Sequence, residues 1–178
     1  MASPESVDAA KSISLEEEGV REIRGSLQGE GLSFALVVSR FNSKLTTALA
    51  RSVIAGLKNQ GVNANHIEIT WVPGAFEIPC ILENFAHVGK YSGLIAVGAI
   101  IRGETPHATN ISQALTRALS EIARRYALPV IDGVVVAPTQ ESAEARCQPG
   151  PQNRGTYVAS AAIEMANLFR RLQEKGFE

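Results

Sequence analysis

The sequence predicts an α/β domain: a parallel sheet with helices packed on both faces. Three observations predict it. From about residue 34 onward, hydrophobic period switches back and forth between strand and helix, and alternating β and α units form parallel sheets. The runs 34–39 (FALVVS) and 94–101 (LIAVGAII) are almost continuously apolar, as strands buried on both faces are. The chain has 178 residues, 45% hydrophobic and 20% charged, which is the size and composition of one globular domain.

The elements follow in order. Residues 34–39 form the first strand. Leu45, Ala48, Leu49, Val53 and Leu57 then recur at helical spacing until Gly61 stops the helix. Ile67, Ile69 and Trp71 alternate with polar residues as a second strand, and this alternation assigns Trp71 to the core. Pro73-Gly74 breaks the strand, and residues 78–86 read as a second helix in which Cys80 is a packing residue. Residues 94–101 are the third strand. Ile111, Leu115, Ala118 and Ile122 mark a third helix, and residues 130–136 a fourth strand. A short helix at 141–146 precedes the broken stretch Gln148-Pro149-Gly150-Pro151. Val158, Ala161, Ala162, Met165, Leu168, Phe169 and Leu172 make the stripe of a long last helix. Ahead of all this, residues 1–21 are rich in acids and carry no apolar segment, so they read as a solvated arm preceding a domain over 22–178.

The same counts exclude several classes of function. Seventeen basic against eighteen acidic residues leave a net charge of −1, so no basic face announces a nucleic-acid partner. No apolar run reaches the roughly 18 residues of a membrane span. The two cysteines, Cys80 and Cys147, fit no metal or redox spacing, and reduced thiols in a cytoplasmic protein are the simplest reading. His66 and His87 are isolated and carry no assigned role.

Ligands of parallel α/β sheets bind beyond the carboxyl ends of the strands. The segments there are Arg40-Phe41-Asn42, Val72-Pro73-Gly74-Ala75-Phe76-Glu77, Arg102-Gly103-Glu104-Thr105-Pro106-His107 and Ala137-Pro138-Thr139. In the third, a glycine turns the chain and Thr105-Pro106-His107 opens a helix. Free N–H groups and the Thr105 hydroxyl make an anion site there, beside a histidine able to move protons near neutral pH. A simple helix cap with a surface histidine fits the same residues. Phe41 is either a stacking platform for a heterocycle or a core aromatic. Glu77 is either an acceptor for polyol hydroxyls or a carboxylate favoured by the helix dipole. Arg146 is either solvated or a bidentate phosphate ligand. The loop after the third strand is too short and lysine-free for a P-loop, and no GxGxxG is present.

Taken in order, Arg40-Phe41-Asn42, the stretch Trp71-Val72-Pro73-Gly74-Ala75-Phe76-Glu77-Ile78-Pro79, the stretch from Gly98 through His107, and Ala162-Ile163-Glu164-Met165-Ala166-Asn167-Leu168 resemble one family closely. That family is 6,7-dimethyl-8-ribityllumazine synthase, a transferase of riboflavin biosynthesis, and the resemblance covers about residues 22–172. It implies a flavodoxin-like three-layer α/β/α sandwich with a four-stranded parallel sheet. It also implies a homopentamer as the unit of assembly, with some members closing into icosahedral shells of sixty subunits. The implied reaction condenses 5-amino-6-(D-ribitylamino)uracil with 3,4-dihydroxy-2-butanone 4-phosphate, releases phosphate, and uses no metal or organic cofactor.

Carried over by position, the resemblance makes Phe41 a stacking surface for the pyrimidine. Ala75, Phe76 and Glu77 line the ribityl chain, and backbone at Ala99, Ile100 and Ile101 reads the pyrimidine edge. Gly103, Glu104 and Thr105 cradle the phosphate, Arg146 of a neighbouring subunit neutralises it, and His107 is the general acid/base. Three places depart from the family's pattern. Asp132 stands where most members carry a phenylalanine that walls the pyrimidine site across the interface. Ala108-Thr109 stands where an aromatic residue and an acid usually follow the histidine. Gly150 takes the place of a frequent lysine. The intact Phe41, Glu77, Thr105, His107 and Arg146 favour a working enzyme. Asp132 and Ala108-Thr109 favour the alternative, a weakly catalytic shell-forming or flavin- or lumazine-binding relative.

Overall fold

A computed structural model describes residues 18–103 and 106–174. Residues 1–17 of the expected arm lie outside the described residues, as do Glu104 and Thr105. The elements run β1 (Phe34–Ser39), α1 (Ser43–Asn59), β2 (Ile67–Val72), α2 (Ile78–Val88), β3 (Gly93–Ile101), α3 (His107–Tyr126), β4 (Val130–Ala137), α4 (Gln140–Cys147) and α5 (Gly155–Glu174). Two short 3-10 turns, Ala64–His66 and Ala75–Glu77, lead into β2 and α2. The four strands are all parallel in the order β2-β1-β3-β4, which is the flavodoxin-like sheet the sequence predicts.

Alternation along the central strands divides the core into two layers. Leu36 and Val38 of β1 and Ile95 and Val97 of β3 pack against Leu49 and Val53 of α1, Cys147 of α4 and Ile163 of α5. Ala35, Val37, Leu94 and Ala96 face the other way, onto Ile78 and Leu82 of α2 and Leu115, Leu119 and Ile122 of α3. Every residue of β1 is buried, so the strand is apolar up to its last residue, Ser39. α1 and α5 come unusually close. A Cβ on Gly155 would sit 2.4 Å from the Ser52 Cβ, and one on Gly56 would sit 2.7 Å from the Ala159 Cβ. Glycine at both positions is what permits this approach.

Residues 19–33, ahead of β1, form no helix or strand, yet they are tied down. Buried Asn167 donates its amide to Ser26 O at 2.8 Å and Gln28 O at 2.9 Å, and Arg171 donates to Arg24 O at 2.7 Å. Main-chain groups that no strand pairs therefore find partners on α5.

Two expectations need correction. Trp71 is 45% exposed rather than in the core. β2 is an edge strand, and its Ile69–Trp71 stripe faces outward while Val72 is the residue it buries. Cys80 is likewise exposed, because the face that α2 buries carries Ile78, Leu82 and Ala86.

Candidate active site

The strand order reverses between β1 and β3, since the chain places β2 on one side of β1 and then crosses to the other. Loops leaving neighbouring strands part at such a switch point and open a crevice. A cleft of about 780 Å³ lies there, walled by segments following three strands and by the start of α3. Phe41 comes from the β1–α1 loop, Gly74, Ala75, Phe76 and Glu77 from the turn after β2, and Ala99, Ile100 and Ile101 from the end of β3. His107, Ala108, Asn110 and Ile111 come from the first turn of α3. The lining is mostly apolar, with polar side chains from Ser39, Glu77, His107 and Asn110, the usual make-up of a small-molecule site.

The position of each wall has a local cause. Arg40 N–H donates to Val72 O at 2.8 Å and Phe41 N–H to Pro73 O at 3.0 Å, so the loops after β1 and β2 are joined by their backbones. Asn42 takes a left-handed conformation, with φ at 58°, which asparagine tolerates better than most residues. Its side-chain amide then donates to Ala99 O at 2.9 Å. Phe41 is left 69% exposed and Phe76 65% exposed, two large apolar surfaces at the cleft with little protein against them. A Cβ on Gly74 would lie 2.9 Å from Glu77 Oε2. The carboxylate therefore folds back over a backbone that carries no side chain, at the start of α2 where the helix dipole favours it.

The end of β3 contributes main-chain groups. Arg102 N–H donates to Ala137 O at 2.9 Å, so even-numbered residues here turn their peptide groups toward β4. Odd-numbered ones turn the other way. Pairing with β1 stops at Val38 against Val97. Ala99 O beyond it takes the Asn42 amide, and Ile101 turns its N–H and C=O to the cleft side with no strand opposite.

α3 begins at His107, with Pro106 at its cap position. His107 is exposed at the cleft. Gly103 is exposed in the loop before it and is not among the cleft's lining residues. Of the sites named from sequence, the cleft thus gathers Phe41, Ala75, Phe76, Glu77, Ala99, Ile100, Ile101 and His107. It does not gather Asp132 and Arg146. These line a separate, smaller pocket of about 190 Å³ at β4, together with Arg154.

Burial raises the Asp132 carboxyl above its ordinary value, although the side chain is still open to solvent; the Val134 N–H and the charge of Arg154 pull it back. Sequence reasoning passed over Asn42, Asn110 and Arg154. Asn42 had a readable signal, an asparagine between a strand and a helix. Asn110 had another, its place three residues after His107 on one helical face. Arg154 had none, because the fold alone brings it to Asp132.

Among the described residues, no group of three or more His, Cys, Asp or Glu side chains stands ready for a metal, and no helix is long and apolar enough to cross a membrane. Residues 31–170 match the sequence model of the family described as 6,7-dimethyl-8-ribityllumazine synthase. That span contains every wall of the cleft, and the chain belongs to the 6,7-dimethyl-8-ribityllumazine synthase family.

Proposed function

We propose that this chain forms 6,7-dimethyl-8-ribityllumazine from 5-amino-6-(D-ribitylamino)uracil and 3,4-dihydroxy-2-butanone 4-phosphate. The observation that carries the reading is the single cleft that joins an open aromatic face at Phe41, unpaired backbone at Ile101, a carboxylate at Glu77 and an imidazole at His107. The pyrimidine lies on Phe41, and the Ile101 peptide groups meet its amide edge. Glu77 accepts hydrogen bonds from ribityl hydroxyls beside Ala75 and Phe76. Gly103, Glu104 and Thr105 hold the phosphate, and Arg146 of a neighbouring subunit faces it.

The amine adds to the ketone carbonyl and water leaves to give an imine. Loss of the proton from the hydroxyl-bearing carbon and of phosphate from its neighbour then leaves an enol, which tautomerises to a new ketone, and attack of the ribityl-bearing nitrogen on that ketone closes the ring with loss of a second water. Each stage needs a proton delivered or removed, and the His107 imidazole at the cleft is a group that can both donate and accept one. Two substrates held together gain further from orientation.

The test is an absorbance assay for lumazine formation from the two substrates with purified protein. Formation above the uncatalysed rate supports the reading, and its absence at saturating substrate sinks it. A second reading, a weakly catalytic binder of lumazine or flavin, draws on Asp132 in place of an aromatic wall and on Ala108 at the cleft beside His107. It predicts tight lumazine binding with only slow turnover.

Assembly belongs to the same proposal. Asp132 and Arg146 lie outside the cleft of their own chain, so their part in catalysis requires a neighbouring copy. Light scattering that finds only a 19.0 kDa species under assay conditions would exclude it.

A further inference from the structure

The pocket at β4 holds three charged side chains drawn from three places: Asp132 on β4, Arg146 in the last turn of α4, and Arg154 just ahead of α5. The chain between the arginines folds back on itself. Arg154 N–H donates to Arg146 O at 2.9 Å. Asn153 clamps the turn, giving its amide to Cys147 O at 3.0 Å and Gln148 O at 2.9 Å and accepting from Gly155 N–H at 2.8 Å. Two cations far from neighbours in sequence are thus fixed side by side by backbone.

Neither arginine is spent on an acid. Arg146 donates to Ser142 O at 3.1 Å, and the Arg154 guanidinium lies 4.5 Å from the centre of the Tyr157 ring. The ion pairs among the described residues involve other side chains. Asp132 accepts the Val134 N–H at 2.9 Å and feels Arg154 through space rather than in contact. A volume of about 190 Å³ is below the roughly 300–1,000 Å³ that encloses a drug-sized ligand. Two guanidinium forks around such a space suit a tetrahedral oxyanion.

We propose that Arg154 is a second anion-binding arginine beside Arg146, and that Asp132 is a built-in counter-charge against which an arriving phosphate group competes. That the anion is the substrate's phosphate rests on the reaction proposed above; the pocket itself does not. With Asp132 ionised the three side chains sum to one positive charge, and with it protonated to two. The arginines stay cationic throughout, the Cys147 thiol beside Arg146 is buried and pushed up to about 11, and Tyr157 meets Arg154 through its ring face. Asp132 is the one acid among the lining residues, so anion affinity should fall as pH rises through its titration.

Sulfate is the probe, because it stays divalent over the range in which a carboxyl titrates. Its affinity for the full chain is measured by calorimetry from about pH 4 to 8, upward from the ordinary aspartate value of about 3.9. Wild type should bind more weakly as pH rises. Asp132→Asn should bind about three- to tenfold tighter at neutral pH, with a flat profile. Arg154→Gln should bind at least about tenfold more weakly, with Arg154→Lys recovering part of the loss. The gain from Asp132→Asn should shrink when Arg154 is also Gln. Unchanged affinity in Arg154→Gln, an unchanged pH slope in Asp132→Asn, or no sulfate binding by wild type would each overturn the proposal. Turnover is read separately. Sulfate binding as described in a protein that makes no lumazine would fail the reaction and keep the pocket.

Discussion

The Asn42 side chain reaches from the loop after β1 to the neighbouring strand β3, where it donates a hydrogen bond to the carbonyl oxygen of Ala99 at 2.9 Å. One residue thereby sets two things: the left-handed turn that aims Phe41 outward, and the junction between the β1 loop and the floor strand β3.

Substitution separates the two. Asn42→Gly keeps the dihedral freedom and loses the bond, for about 0.5–1.5 kcal/mol. Asn42→Ala loses the bond and also strains the backbone, for about 1–3 kcal/mol in all. Urea unfolding should rank the variants in that order, and both should raise KM for the pyrimidine substrate more than they lower kcat. Equal stability of the two variants would show that φ at this position carries no strain.

The two cysteines should behave differently. Cys147 is buried and its thiol is pushed up to about 11 by desolvation, so it holds little of the thiolate that reacts. Cys80 is exposed. A thiol-reactive chromophore at neutral pH should modify one cysteine per folded chain quickly and the second only on denaturation. Rapid modification of both in the folded protein would contradict the burial of Cys147 beneath α1 and α5.

Asp132 should make stability depend on pH in a direction opposite to most carboxylates. Its folded value is raised, so the native state holds the proton more tightly than the unfolded chain does. The contribution to stability is fully present below the unfolded value of about 3.9 and is lost as pH rises through the folded one. Asp132→Asn should therefore melt higher than wild type near neutral pH, with the two curves converging in acid. Melts in anion-poor buffer test this, and a variant that melts lower than wild type at neutral pH would reverse the sign.

The regular elements were legible because their burial is one-sided or total. β1 and β3 are apolar almost throughout since both faces are covered, and the stripe of Leu45, Leu49, Val53 and Leu57 matches the face α1 buries. β2 misled because its alternation says that one stripe is apolar without saying what covers it. On an edge strand, Ile69 and Trp71 face outward. The cleft was legible in outline because strand ends define it. The Asn42–Ala99 bond joins residues 57 apart in sequence, and Arg154 meets Asp132 only through the folding back of the α4–α5 turn. Contacts of that kind leave no periodic trace.

His107 should matter more to rate than to binding. It stands exposed at the first turn of α3, where it can approach bound substrates, but no described side chain holds it by a hydrogen bond, and Ala108-Thr109 offers no acid to fix its tautomer. A well-positioned acid/base contributes roughly 10²–10⁴-fold; a loosely held one should contribute less. On the reaction proposed above, a cleft lacking the imidazole keeps the orientation of its two substrates as a source of rate. His107→Ala should therefore lose about 10- to 100-fold in kcat with KM little changed. If His107→Ala instead keeps wild-type turnover at every pH while Phe41→Ala does not, the cleft works by holding its two substrates together, and the protons travel through water.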